Sequence, residues 1–161
     1  MAVDMFLKLG DIKGESSDDK HRDEIDVLSW SWGMEQHMGT SPAGGGVGAG
    51  KVSVHDLSVT KYIDKASPGL MLACCNGEHF KEALLTVRKA AKTAIEYLKI
   101  TLKDVIVSSM AVGGSTGQDR QPETITFNFA EFGTQYTPQK PDGTADALVE
   151  VGWSIKRNVK T

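Results

Sequence analysis

The segment 123–129, with the sequence ETITFNF, decides the fold class of this chain. Its apolar residues Ile125, Phe127 and Phe129 alternate with small or polar residues. A hydrophobic period of two is typical of a β-strand, because successive side chains point to opposite faces of a sheet. The β-branched and aromatic composition favours the same structure. We therefore predict a strand with one packed face and one face turned to solvent or to a partner.

A second alternating segment carries four large apolar residues: Leu28, Trp30, Trp32 and Met34. We expect these four to be buried on one face. Ser29 and Ser31 lie between them and must point to the opposite face, which is small and hydroxylated. That face has two interpretations, a plain solvated exterior or the wall of an internal channel.

The same period recurs along the chain, and further strands are predicted over 51–62, 83–89, 94–109, 123–136 and 148–157. Phase changes within 94–109 indicate either a bulge or burial on both faces. One short helix is predicted from Ser67, whose hydroxyl can cap free amides, and Pro68 to a stop at Asn76 and Gly77. Many strands with one helix indicate a mainly β fold, a barrel or sandwich with one short flanking α-helix.

Length and composition indicate one domain over 1–161, since a chain of 161 residues supports a single hydrophobic core. Lys and Arg number 18 against 21 Asp and Glu, a net charge of -3, so we expect no nucleic-acid partner. No apolar run is long enough for membrane insertion, and residues 1–14 do not resemble a signal peptide.

Cys74 and Cys75 are adjacent, so we expect two buried free thiols rather than a strained disulfide bridge.

A glycine-rich loop is predicted over 39–50. Its second half overlaps a possible phosphate-binding motif, GGVGAGK at 45–51. It matches part of a phosphate-binding loop, but Val52 stands where that loop has Ser or Thr. A strand pattern also follows Lys51, whereas phosphate binding requires a helix N-terminus there. We therefore expect a connector that a neighbouring subunit orders, and no nucleotide or other cofactor.

No catalytic or metal site is predicted. His79 lies near Cys74, Cys75 and Glu78, but the chain lacks the second ligand cluster that a zinc site normally uses. The acidic stretch 18–26 is predicted to be a solvated loop, with a weak calcium site as the alternative. No G-x-S-x-G motif marks a nucleophile.

Ordered sequence blocks carry a family resemblance along nearly the whole chain. They include MAVDMFLKLGDIKGES at 1–16, EIDVLSWSWGM at 24–34, VTKYIDKASPGLMLA at 59–73, ITLKDVIVSS at 100–109 and VGWSI at 151–155. In order and spacing these blocks resemble the Hcp family, the hemolysin-coregulated proteins that form the tubes of type VI secretion systems.

The resemblance implies a structural, non-catalytic subunit that forms hexameric rings, which stack into a conduit and carry small effectors in the lumen. Combined with the strand alternation, this architecture predicts that Ser29 and Ser31 line the lumen and contact effectors, with a solvated exterior as the alternative. Oligomer contacts are expected at Gly44, Gly45, Gly46, Gly48 and Arg157. The partners it implies are other copies of the chain, effectors, a spike protein and a contractile sheath. It further implies synthesis in the bacterial cytoplasm and secretion by the same machine without a cleaved signal peptide.

Two other functions are alternatives, of which the first shares the strand pattern. A ligand-binding barrel would enclose an apolar cavity and stay monomeric. A nucleotide-dependent enzyme would be stabilised against heat by its nucleotide.

Overall fold

The computed structural model describes residues 2–39, 48–91 and 93–161. Twelve strands and one helix follow in the order β1 (Val3–Leu9), β2 (Ile25–Asp26), β3 (Ser29–Ser31), β4 (Met34–Gly39), β5 (Gly48–Val54), β6 (Leu57–Tyr62), α1 (Ser67–Asn76), β7 (Phe80–Lys89), β8 (Ile95–Val112), β9 (Pro122–Asn128), β10 (Glu131–Tyr136), β11 (Val149–Ser154) and β12 (Val159–Lys160). The mainly β prediction with one short helix is confirmed.

The long strand β8 joins the two parts of a ten-stranded sheet. Its first half pairs with β7 and β10, and its second half pairs with β9. The pairing continues from β9 to β6 and β3 on one side, and from β7 to β1 and β2 on the other. A register shift between Val107 and Ser109 confirms the predicted bulge. Among the described residues the ladders do not close into a barrel, since β2 and β3 are separate short strands.

One hydrophobic core lies between these parts of the sheet. Fully buried residues from different strands meet there, among them Leu7, Leu57, Leu85, Ile100 and Phe127. Ile125 and Phe129 are also buried, so the alternation that predicted β9 is confirmed. Burial of each such side chain contributes about 1.5 to 3 kcal/mol relative to its exposure to water.

The predicted burial of Leu28 and Met34 is wrong. Their exposed fractions are 43% and 46%, whereas Trp30 and Trp32 are half-buried against the core. The chain leaves the strand conformation after Ser31 and resumes it at Met34 in the separate β4–β5 hairpin. The alternation therefore does not run through one continuous strand, and each end of the segment has its own surroundings.

Two of the long predicted strands are each two strands. Residues 51–62 divide between β5 and β6 at His55 and Asp56, and 123–136 divides between β9 and β10 at Phe129 and Ala130. The ends of the predicted glycine-rich loop are strand, because Gly39 of β4 pairs with Gly48 of β5, whereas residues 40–47 lie outside the described residues. A strand does follow Lys51, as the argument against a phosphate-binding loop requires.

Helix α1 has the predicted ends, with Pro68 in its first turn and Gly77 as a left-handed stop at φ 67°. The Gly77 amide donates to the carbonyl of Ala73 over 3.1 Å, which satisfies one of the free carbonyls of the last turn. The predicted cap by the Ser67 hydroxyl is wrong, because Ala66 is the capping residue and makes no side-chain cap. Ser67 instead turns inward, toward strand β9.

The predicted burial of both thiols is also wrong. Cys74 is half-buried and packs against the core, but Cys75 is exposed, and both are free. Only one side of a ten-residue helix can face the sheet, and Ser67, Leu70 and Ala73 occupy it at a spacing of three. Adjacent residues cannot both lie on that side.

The segment 11–24 is tied to the sheet by an ion cluster. The Arg88 guanidinium donates to the carboxylates of Asp18 and Asp4. The hydrogen bond from Arg88 lowers the pKa of Asp18 to about 2. Nearby, the ring of His21 stacks on Phe6 with 4.3 Å between centroids. Arg88 therefore binds the acidic stretch 18–26 to the sheet through Asp18.

Candidate functional site

The candidate site is the surface of β3, β6 and β9 that points away from the core, here called the hydroxyl face. In β6 the buried residues alternate with Ser58 and Thr60, and in β9 they alternate with Thr124 and Thr126. Strand β3 contributes two exposed serines. The face thus has six hydroxyl-bearing members: Ser29, Ser31, Ser58, Thr60, Thr124 and Thr126.

Strand register arranges these residues in rows across the sheet. Ser31 pairs with Ser58, Ser58 with Thr126, and Thr126 with Ser109 of β8. Neighbouring strands lie about 4.8 Å apart, so this row of four spans about 14 Å. A second row consists of Ser29, Thr60 and Thr124. These two rows give the hydroxyl face a polar surface of short side chains without bulky ones, and this surface is called the wall below.

One end of the wall is fixed by a hydrogen-bond relay that ends on Asp56. Ser108 donates to one oxygen of Asp56 over 2.6 Å, and the Asn128 amide donates to the other over 2.8 Å. Because the single proton of Ser108 is used, Thr126 must donate to Ser108 over 2.7 Å and Ser109 to Thr126 over 2.6 Å. The relay orders the side chains and satisfies the carboxylate.

The other end of the wall carries a cation on an aromatic ring. The guanidinium carbon of Arg120 lies 4.3 Å from the centroid of the Tyr62 ring. A cation at this distance from a ring face is attracted by the ring quadrupole. Between Asp56 at one end and Arg120 at the other, the two rows carry no ionisable side chain.

A buried ion cluster lies directly behind the wall. Lys61 of β6 and Glu123 of β9 are cross-strand partners with fully buried side chains, 2.5 Å apart between Nζ and Oε1. The Lys61 ammonium also donates to Asp64 over 2.8 Å, and the Ser67 hydroxyl donates to Glu123 over 2.6 Å. The cluster therefore connects the wall to the first turn of α1.

The residues predicted as contacts lie in three places. Ser29 and Ser31 are exposed on the hydroxyl face. Arg157 lies in the turn between β11 and β12, with its side chain 65% exposed and 3.7 Å from Glu131. Gly48 begins β5, whereas Gly44, Gly45 and Gly46 lie outside the described residues. Among the described residues, the structure thus brings the two serines together on one face.

For metal ions, the described part of the chain contains no group of three or more potential ligands from His, Cys, Asp and Glu. His79 is hydrogen-bonded to Asp104 over 2.9 Å instead. Within residues 2–39, 48–91 and 93–161, no helix is long and apolar enough to cross a membrane.

Sequence reasoning named two serines of the wall but missed its other members. Ser58, Thr60, Thr124 and Thr126 alternate with buried residues in the same way as Ser29 and Ser31. That alternation is visible in the sequence. What the sequence does not give is the antiparallel register, which places the three strands side by side.

Comparisons with known proteins agree along the whole chain. The family model described as "Type VI secretion system effector, Hcp" matches residues 6–136. Protein hcp1 of Pseudomonas aeruginosa strain PAO1 is 57% identical over 162 residues, with 99% of each chain covered.

Solved structures of similar fold belong to the same group of proteins. A structure described as a type six secretion system protein has a TM-score of 0.93 at 34% identity and covers 99% of this chain and 100% of its own. Hcp1 from Salmonella typhimurium has a TM-score of 0.83 at 40% identity, with both chains covered completely. The chain therefore belongs to the Hcp family of type VI secretion system tube and effector proteins.

Proposed function

We propose that this chain is a ring-forming tube subunit whose hydroxyl face lines the lumen and holds small effector proteins during transport. In this proposal six copies close a ring, and rings stack into a conduit. The observation that supports this proposal most directly is the wall, which has two rows of Ser and Thr side chains across adjacent strands. A channel wall needs short side chains to stay open, and these rows have them.

The chemistry of the wall suits temporary contact with cargo. Neutral hydroxyl groups donate and accept hydrogen bonds, and each net hydrogen bond contributes only about 0.5 to 1.5 kcal/mol. Ser29, Ser31 and Ser109 are the exposed members of the rows, and Ser29 and Ser31 would make the first contacts. The rows present no charge that would fix an effector permanently, so cargo can be released at the destination.

Subunit contacts belong to surfaces away from the wall. Arg157 is exposed in a turn at one end of β11, where an acidic patch of a neighbouring copy could pair with it. Gly48, the first residue of β5, is a second contact in this proposal, together with Gly44, Gly45 and Gly46, which lie outside the described residues. A spike protein at the end of the tube and a sheath around it complete the set of partners.

We assign no catalysis to this chain and expect no cofactor. The Asp56 relay passes through three hydroxyl groups without a histidine base, and its hydrogen bonds satisfy the carboxylate. Nucleophilic activation of a serine normally requires an adjacent base. The subunit would be made in the bacterial cytoplasm and then leave the cell through the machine that it builds, without a cleaved signal peptide.

Native mass spectrometry tests ring formation. We expect a dominant species of six times the 17.4 kDa subunit mass at micromolar concentration, because ring closure buries the strand edges that β1 and β11 leave partly unpaired. A monomer at every concentration would contradict the proposal and favour a ligand-binding protein. A ladder of masses without a preferred ring would contradict closure.

A further inference from the structure

The hydroxyl face extends by one more pair of residues beyond its two rows of Ser and Thr. Tyr62 at the end of β6 pairs with Pro122 at the start of β9. Their strand neighbours Lys61 and Glu123 have fully buried side chains. Alternation therefore directs Tyr62 and Pro122 to the side on which the hydroxyl groups lie. The face thus ends on an aromatic ring and a proline ring.

A groove of about 460 Å³ lies over this pair. Its apolar lining consists of Leu28, Tyr62 and Pro122. The amide of Leu28 donates to the carbonyl of Thr60 over 2.8 Å, and the residue stays 43% exposed at the end of the wall. The polar lining comes from the loop before β9, with Gln118, Asp119 and Arg120.

Arg120 gives the groove a positive charge. Its guanidinium carbon lies 4.3 Å from the centroid of the Tyr62 ring, so the ring covers one face of the cation. Within residues 2–39, 48–91 and 93–161, no carboxylate, including that of Asp119, forms a salt bridge with it. Arg88, which also lies over an aromatic ring, is instead bound by two carboxylates. The N–H groups at the edge of the Arg120 guanidinium match the two oxygens of a carboxylate.

The two kinds of lining determine which partner fits the groove. A purely apolar segment would displace water from the guanidinium without giving it a counterion, which is costly. A lone phosphate would leave the apolar side chains of Leu28 and Tyr62 uncovered. A protein segment with a carboxylate beside an apolar side chain uses both parts of the groove. Because the groove continues the hydroxyl face, the protein that the wall holds also reaches the groove.

We propose that this groove is an anchor site that selects effectors by an acidic residue next to an apolar or aromatic side chain. The carboxylate of the effector accepts hydrogen bonds from Arg120, and the apolar side chain packs against Leu28 and Tyr62. A single solvent-exposed ion pair is weak, so the contact stays reversible. This inference rests on the proposed function and makes Arg120 a residue that distinguishes one effector from another.

Two synthetic peptides test the chemistry, acetyl-Gly-Phe-Glu-Gly-amide and the same peptide with Gln in place of Glu. Saturation-transfer NMR with the unsubstituted protein should show that the acidic peptide binds about tenfold more tightly. Arg120→Gln should abolish this difference. Arg22→Gln is the matched control, because Arg22 is exposed outside the strands of the hydroxyl face, and it should preserve the difference.

Effector retention gives a second measurement. Rings of Arg120→Gln should keep their mass in sedimentation velocity but lose at least one effector that the unsubstituted ring retains. Retention of every effector by these rings would overturn the inference, as would equal binding of the two peptides or no binding of the acidic one. A lower oligomer mass for Arg120→Gln would also overturn it, because the groove would then seat a second copy of the chain.

The two proposals fail in different experiments. The groove lies within one chain, so the peptide comparison holds for the unassembled subunit as well as for the ring. Failure of the unsubstituted chain to form rings would overturn the proposed function, whatever the peptides show.

Discussion

Lys61→Met is expected to lower the free energy of unfolding by about 3 to 5 kcal/mol, because it leaves a buried carboxylate without its partner. The side chains of Lys61 and Glu123 are both fully buried, and Asp64 is only 6% exposed. In the described residues, Glu123 Oε2 already lacks a hydrogen-bond partner. Chemical denaturation at one protein concentration measures the effect, since ring assembly would otherwise add concentration-dependent stability.

Two controls separate burial from simple loss of charge. Lys99→Met removes a surface pair with Glu96, where the lysine side chain is 37% exposed, and should cost at most about 1 kcal/mol. The double variant Lys61→Met with Glu123→Leu removes both buried charges and should recover much of the loss. A loss below about 1 kcal/mol for Lys61→Met alone would show that the cluster is not essential to the fold.

Ser31→Trp is expected to abolish retention of at least one cognate effector while the ring stays intact. The indole would rise from a row of small hydroxyl groups and occupy the space that cargo needs. Co-purification of an effector with the ring, and secretion of both, measure the effect. Ser31→Ala, which removes only the hydroxyl, should give a smaller loss.

Ser17→Trp is the matched control for that substitution, because Ser17 is exposed in the segment 11–24, outside the strands that form the hydroxyl face. It should retain effectors normally. If Ser31→Trp rings also retain and secrete every effector tested, the face is a solvated exterior and the lumen assignment is refuted.

The sequence predicted features that depend on neighbouring residues better than features that depend on residues far apart in the chain. The alternation of Ile125, Phe127 and Phe129 predicted their burial correctly, because strand period is a local property. The same argument failed for Leu28, which lies at a bend before β3, and for Met34, which follows a break in strand geometry at Trp32 and Gly33. Alternation defines faces only within one unbroken strand.

Ser67 illustrates a second limit. Local rules predicted a helix cap, but the hydroxyl donates to Glu123, which is 56 positions further along the chain. A polar group in the interior must find its partner there, and that requirement overrides local preference. Register has the same long range, which is why Ser29 and Ser31 were predicted individually but the rows of the hydroxyl face were not.

The prediction that glycine-rich sequence forms a loop was only partly correct. Gly39 and Gly48 pair within a ladder, although their composition is typical of a connector. Gly133 lies in the middle of a strand, and the sequence alone could not distinguish it from a bulge or a turn.

The most direct test of the account is a cryo-electron microscopy reconstruction of the assembled protein. The account predicts a closed six-membered ring with Ser29, Ser31, Ser58, Thr60, Thr124 and Thr126 on its inner surface. A ring with these side chains on its outer surface would contradict the lumen assignment, and the absence of any closed ring would contradict the proposed function.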